Sequence, residues 1–261
     1  MHAFMRIRLP AIKLAQMRAL TRLYGIEVSE AQDTDFAAYE HFNAFFTRAL
    51  RDGARPLDPE PANLVSPVDG AVSQLGRIHG ESIFQAKGHE YGLTELLGGE
   101  EGRAEPFIDG DFVTLYLSPR DYHRVHMPIS GTLREMIHVP GRLFSVAPHT
   151  VRSVPRLFAR NERVICLFDT EIGPVAHILV GAIFVSSMDT VWAGTVTPPP
   201  GRWVTVTRPD GVVLERGAEM GRFNMGSTTI TLFPRGAIEF AAEIVPGARV
   251  RMGQTLARRR G

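Results

Sequence analysis

Met225-Gly226-Ser227-Thr228 sets a hydroxyl directly after a glycine, and Thr229, Ile230, Thr231, Leu232 and Phe233 follow it as a β-branched and apolar run with strand character. A serine so placed can act as a nucleophile. Glycine leaves its own carbonyl open to close approach and reaches backbone angles closed to other residues, so the Gly226-Ser227 peptide can be attacked by its own side chain. The plain alternative is a turn entering a strand, because glycine and serine are ordinary turn residues.

Asp121-Tyr122-His123-Arg124-Val125-His126 places two imidazoles three residues apart beside a carboxylate. Three readings compete. A zinc site would use His123, His126 and Asp121, but no further ligand cluster stands out, and a strand turns positions i and i+3 to opposite faces. A pair of loop histidines bonded to backbone is the second reading. Acid–base catalysis is the third, and it needs a group titrating near neutral pH within reach of a hydroxyl. Asp69, in Pro67-Val68-Asp69-Gly70, has the composition of a turn aspartate.

These residues need elements to position them. Residues 11 to 24 put Ile12, Leu14, Met17, Leu20, Leu23 and Tyr24 near one helical face, with Lys13, Arg18 and Arg22 as cations and Pro10 at the start. Such a helix either lies in a headgroup layer or packs on its own domain. The spacing over Phe36–Leu50 predicts a second helix, and Arg51 to Pro61 a loop. From Leu64 onward short apolar segments recur between turn residues: 71–75, 112–117, 131–138, 163–168, 176–185, 191–197 and 228–233. The class expected is α+β: a mainly antiparallel, barrel- or sandwich-like β core with N-terminal helices. The division expected is a helical region 1–50 and a β-rich domain 51–261. Thr94 to Gly98 reads as a helical turn, 198–201 as a stiff exposed loop, and Arg258-Arg259-Arg260 as a solvated tail.

A chain of 261 residues with 44% hydrophobic content can bury a substantial core. Lys+Arg of 29 against Asp+Glu of 28 gives a net charge of +1, which argues against bulk attraction to nucleic acid. A single cysteine, Cys166, excludes an intrachain disulfide and a thiolate metal cluster and suits a reducing compartment. No signal peptide is legible. The longest apolar run, Val175–Val185, contains His177 and spans about half of the roughly 20 residues a membrane helix needs.

Read in order, the chain resembles the pyruvoyl-dependent phosphatidylserine decarboxylases of bacterial type. The resemblance runs through Phe45-Phe46-Thr47-Arg48, Ser66-Pro67-Val68-Asp69-Gly70, Lys87-Gly88-His89, the run Tyr116 to Pro128, Val139-Pro140-Gly141, Leu157 to Arg163, Val191-Trp192-Ala193-Gly194 and Gly226-Ser227-Thr228. Members usually carry leucine where this chain has Met225, a volume-conserving change.

The resemblance implies that Asp69, His126 and Ser227 form a charge-relay triad for self-cleavage between Gly226 and Ser227, with His126 as base and Asp69 holding its tautomer. The products would be a large chain 1–226 and a small chain 227–261 opening with a pyruvoyl group made from Ser227. That cofactor would form a Schiff base with phosphatidylserine and release carbon dioxide to give phosphatidylethanolamine. His123 is then the candidate for substrate carboxylate contact or proton delivery, and no metal is expected. A homodimer of the processed heterodimer, peripheral on the cytoplasmic face of the cell membrane, is also implied. A serine lipase or esterase is the competing enzyme, although the second glycine of its G-x-S-x-G elbow is missing. A non-enzymatic lipid-binding β module would leave Gly226-Ser227 without a task.

Overall fold

Pro10 and Gly25 bracket the first helix: proline occupies the first turn, where its missing N–H costs nothing, and Gly25 closes the last turn at φ 67°. The computed structural model describes residues 4–183, 187–197, 203–224 and 227–260. Helix α1 (Pro10–Tyr24) buries Gln16 and Met17, and Met17 joins Met5, Ile26, Phe42, Phe45 and Phe46 in a small hydrophobic cluster of its own. Leu9, Ile12 and Leu23 of the same segment stay exposed, Leu23 at 72%. One face therefore packs on the protein while another presents apolar side chains and Arg18 and Arg22 outward.

The continuous helix expected over Phe36–Leu50 is broken. A 3-10 turn at Phe36–Ala38 is followed by extended Tyr39, and only Phe42–Phe46 (α2) is α-helical. His41 causes the restart, because its side chain accepts the Ala44 N–H at 3.0 Å and caps α2. Aromatic spacing alone does not reveal a capping imidazole.

The larger hydrophobic cluster lies under an antiparallel principal sheet. Its central strands are β1 (Gly70–Arg77), β2 (Asp111–Leu117), β4 (Gly131–Val139), β5 (Arg163–Thr170), β6 (Gly173–Val180) and β9 (Ser227–Phe233). In space they run β4-β5-β6-β9-β2-β1, with Thr205–Thr207 and Arg249–Val250 at the ends, so the sheet does not close into a barrel among the described residues. A second sheet holds β3 (Arg124–His126), β7 (Ser187–Thr190) and β8 (Glu219–Asn224) in the order β7-β8-β3, with Gly194–Thr195 outside β7.

Three neighbouring strands change sheets together. In the principal sheet β9 lies between β2 and β6; in the second sheet β8 lies between β3 and β7. The chain runs from β2 into β3, from β6 into β7, and from β8 into β9, so the same three lines of backbone turn one corner side by side. The middle line leaves the second sheet after Asn224 and joins the principal sheet at Ser227. Met225 and Gly226 lie outside the described residues, as do the 198–201 loop and Val185.

Two further expectations are corrected. Strand structure over 191–197 is confined to Gly194–Thr195, because Thr190 Oγ1 accepts the Ala193 N–H at 3.2 Å and closes a turn after β7. Arg258, Arg259 and Arg260 are exposed, as expected of a solvated segment, but the backbone is not a loose tail: Thr255–Arg259 is a strand pairing with Asn63–Val65 and Ile238–Phe240, burying Leu256 and Ala257. Thr94 does fall within a helical turn, Leu93–Leu96.

Candidate active site

Ser227 opens β9 with its Cα opposite Leu117, and Thr228 is opposite both Tyr116 and Val180. On the other side of the turn Asn224 is opposite Ser187, and the Phe223 N–H donates to the His123 carbonyl at 3.0 Å. Both sides of residues 225–226 are thus held by two neighbouring strands. At this corner opens an apolar cavity of about 280 Å³, lined by Tyr24, Phe46, Tyr116, Leu117, Ala182 and Ile183 among others. A cavity of this kind suits an amphipathic ligand.

His123 stands at the corner itself. It is fully buried, its ring lies 4.0 Å from that of Phe46 between centroids, and its Nδ1 donates to the Asp121 carbonyl at 2.7 Å. That bond puts the proton on Nδ1 and leaves Nε2 with its lone pair, and Nε2 meets no hydrogen-bonding partner among the described residues. Burial pulls the imidazole down to about 3, so His123 is neutral at physiological pH. The Asp121 carboxylate faces elsewhere, accepting from Ser118 N–H at 2.8 Å and from Arg249. Burial alone would raise its proton affinity, but the bonds from Arg249 and Ser118 hold it below the usual carboxylate range.

His126 is also buried, but at the far end of the β3–β8 ladder. Its Cα pairs with Glu219, five residues before Asn224, which at about 3.3 Å per residue is roughly 16 Å along the strand. Its Nδ1 donates to the Gly217 carbonyl at 2.8 Å, and its Nε2 meets the Tyr122 hydroxyl at 3.1 Å. Burial lowers its proton affinity, an effect that the Gly217 bond and the charges of Glu219 and Asp69 partly offset.

Asp69 accepts from Arg55 Nε at 2.9 Å, from Arg55 Nη2 at 2.6 Å and from the Met252 N–H at 2.8 Å, and Arg55 also meets Glu30 at 2.7 Å. Asp69 and His126 therefore share no hydrogen bond; the aspartate acts on the imidazole through space, and the Gly217 carbonyl holds the tautomer. The two histidines turn to separate partners, and the described residues contain no group of three His, Cys, Asp or Glu arranged to hold a metal ion.

Gly217 and Arg55 carry this arrangement without a signal in the sequence, and Tyr122 and Phe46 stand there only as members of motifs, with no role assigned. Phe46 reads there as core, Gly217 contributes only a carbonyl, and Arg55 sits in a loop.

Fold and site together define the class: an α+β protein with a serine opening a strand at a sheet corner, a neutral buried imidazole on the adjoining line of that corner and an apolar cavity opening there. A family model for phosphatidylserine decarboxylase matches residues 42–258. Similar proteins named phosphatidylserine decarboxylase proenzyme occur in Pseudomonas fluorescens, 59% identical over 248 residues covering 94% of this chain and 86% of that one. Another, from Bordetella avium, is 59% identical over 253 residues covering 96% and 86%. A third, from Marinobacter nauticus, is 54% identical over 248 residues covering 94% and 86%. The chain belongs to the phosphatidylserine decarboxylase family.

Proposed function

We propose that this chain is made as a proenzyme, cuts itself between Gly226 and Ser227, and then decarboxylates phosphatidylserine to phosphatidylethanolamine. The observation that supports the reading is the three-strand corner: the middle line leaves the second sheet after Asn224 and enters the principal sheet at Ser227, with β2 and β6 pairing the chain after that point and β3 and β7 pairing it before. A peptide anchored on both sides keeps its ends in place while it reacts.

Ser227 Oγ adds to the Gly226 carbonyl carbon, the C–N bond breaks, and the freed amine takes the hydroxyl proton, leaving an ester. Loss of the Ser227 Cα proton expels the Gly226 carboxylate and leaves dehydroalanine. Its tautomer adds water and loses ammonia to give the pyruvoyl terminus. His126 is the proposed base, with Asp69 stabilising its charged form. Its Nε2 meets Tyr122 and its Cα pairs with Glu219, roughly 16 Å along the strand from Asn224, so proton transfer requires His126 to approach residue 227 as well as to exchange that contact. His123, already at the corner, is proposed to contact the substrate carboxylate or deliver a proton.

The neighbouring residues suit a pyruvoyl group: Leu117, whose Cα pairs with that of Ser227, lines the apolar cavity, and the buried Nε2 of His123 is uncharged. When present, a pyruvoyl group at position 227 would supply the electron sink that decarboxylation of the substrate amino acid needs.

No helix among the described residues is long and apolar enough to cross a membrane. We infer peripheral attachment at the cytoplasmic face through exposed Leu9, Ile12 and Leu23, because Tyr24, at the end of α1, lines the cavity together with exposed Ile183.

Intact mass under denaturing conditions tests the reading. Two chains with a pyruvoyl-blocked small one are expected, and one uncut chain would favour an esterase or a lipid-binding module. Ser227→Ala and His126→Ala should stay whole, while His123→Ala should split but turn over poorly. Splitting lost in His123→Ala and retained in His126→Ala would exchange the two assignments.

A further inference from the structure

Asn43, the one polar residue of the Phe42–Phe46 helix, lies 181 positions from Asn224 and bonds to it in the interior. Its Nδ2 donates to Asn224 Oδ1 at 2.8 Å; Asn224 Nδ2 in turn donates to Ser187 Oγ at 2.6 Å and to Asp189 Oδ1 at 2.9 Å. Asn43, Asn224 and Ser187 are buried, at 5%, 2% and 1% exposure. The orientation of the central amide is forced. The Asp189 carboxylate only accepts, so the nitrogen of Asn224 must face it and the oxygen must face Asn43.

Asn224 is the last described residue before 225–226, and Ser187 opens β7 beside it. One side-chain amide thereby ties α2 to two of the three lines that turn the corner. Asn43 Oδ1 has no partner among the described residues, so this asparagine is present for its donor alone. An apolar residue would otherwise serve better between Phe42 and Phe45.

We propose that Asn43 is a positioning residue for chain scission: by locking the Asn224 side chain it holds the Gly226 carbonyl where Ser227 Oγ can reach it. The inference rests on the self-cleavage reading. Attack needs the two atoms at about 3 to 3.5 Å and aligned, and an error of about 1 Å costs on the order of a hundredfold in rate.

The test follows splitting of freshly translated chain by denaturing gel, scoring only the protease-resistant folded fraction, for wild type, Asn43→Ala and Asn43→Asp. The aspartate keeps the shape and removes the donor. Both variants should split roughly 10- to 100-fold more slowly while folded. Hydroxylamine, which cleaves an accumulated ester, should not restore the rate, because acyl shift is the slowed step. Folded Asn43→Asp splitting at the parental rate, or full restoration by hydroxylamine, overturns the proposal. If neither variant folds, Ser187→Ala, which removes an acceptor from the same amide, takes their place, and an unchanged half-time is the overturning result. A wild-type chain that never splits defeats the self-cleavage reading and this inference with it; a wild type that splits beside an equally fast folded variant defeats this inference alone.

Discussion

His123 lies against Phe46 with ring centroids 4.0 Å apart, and Phe46 belongs to the helix that also carries Asn43. An N-terminal helix thus supplies both a wall of the apolar cavity and the burial that keeps a corner imidazole uncharged.

That burial makes the fold acid-sensitive. His123 and His177 are both pulled to about 3 by burial, so between about pH 6.5 and 3 the unfolded chain binds more protons than the folded one. Stability is fully present above the unfolded value and is lost as pH falls. From pH 6.5 to 5 each imidazole costs on the order of 2 kcal/mol. Urea midpoints of Ser227→Ala, uncut and thus a single chain, should fall over this range, and His177→Asn should flatten the slope. An unchanged slope would show that His177 does not carry the effect.

Arg55 lies between Glu30 and Asp69 with only 7% of its side chain exposed. Arg55→Leu leaves the buried Asp69 carboxylate without its cation and Glu30 with only Arg251, at 3.5 Å, and should cost about 3 to 5 kcal/mol in urea unfolding of the Ser227→Ala chain. Arg55→Lys keeps the charge but not the fork that meets Asp69, and should recover only part of the loss. Equal stability of all three would mean that the carboxylates find other partners.

Once cut, the chains should remain together. Strand β9 pairs with β2 from Ser227 to Phe233 and with β6 from Thr228 to Leu232, and Thr255–Arg259 pairs with Asn63–Val65. Gel filtration should recover both chains in one peak in buffer and two in guanidinium. Separation without denaturant would contradict the pairing.

Leu23→Glu combined with Ile12→Glu should weaken sedimentation with phosphatidylglycerol vesicles by at least about thirtyfold, because each exposed apolar side chain that enters acyl chains contributes about 1 to 2 kcal/mol. The melting temperature should be almost unchanged, since both side chains are exposed, at 72% and 47%. A fall in melting temperature with vesicle binding intact would instead assign that face to packing.

Much is legible before folding. Pro10 and Gly25 mark α1 because proline and glycine act through their own backbones, and the runs at 112–117, 163–168 and 228–233 announce buried strands by residue type alone. The Gly226-Ser227 pair and the ordered motifs likewise name the family, which the match over residues 42–258 bears out.

Partnerships across the chain belong to the tertiary structure. The resemblance has Asp69 orient His126, yet Asp69 meets Arg55 and Met252, while a glycine carbonyl, silent in any side-chain pattern, accepts the hydrogen bond from Nδ1. The corner itself is invisible locally, since three strands leave the principal sheet together only because pairing aligns the ends of β2 and β6, at Leu117 and Val180, with the start of β9. Local sequence sets what each backbone segment does alone; which carboxylate reaches which imidazole depends on contacts between residues as far apart as Asn43 and Asn224.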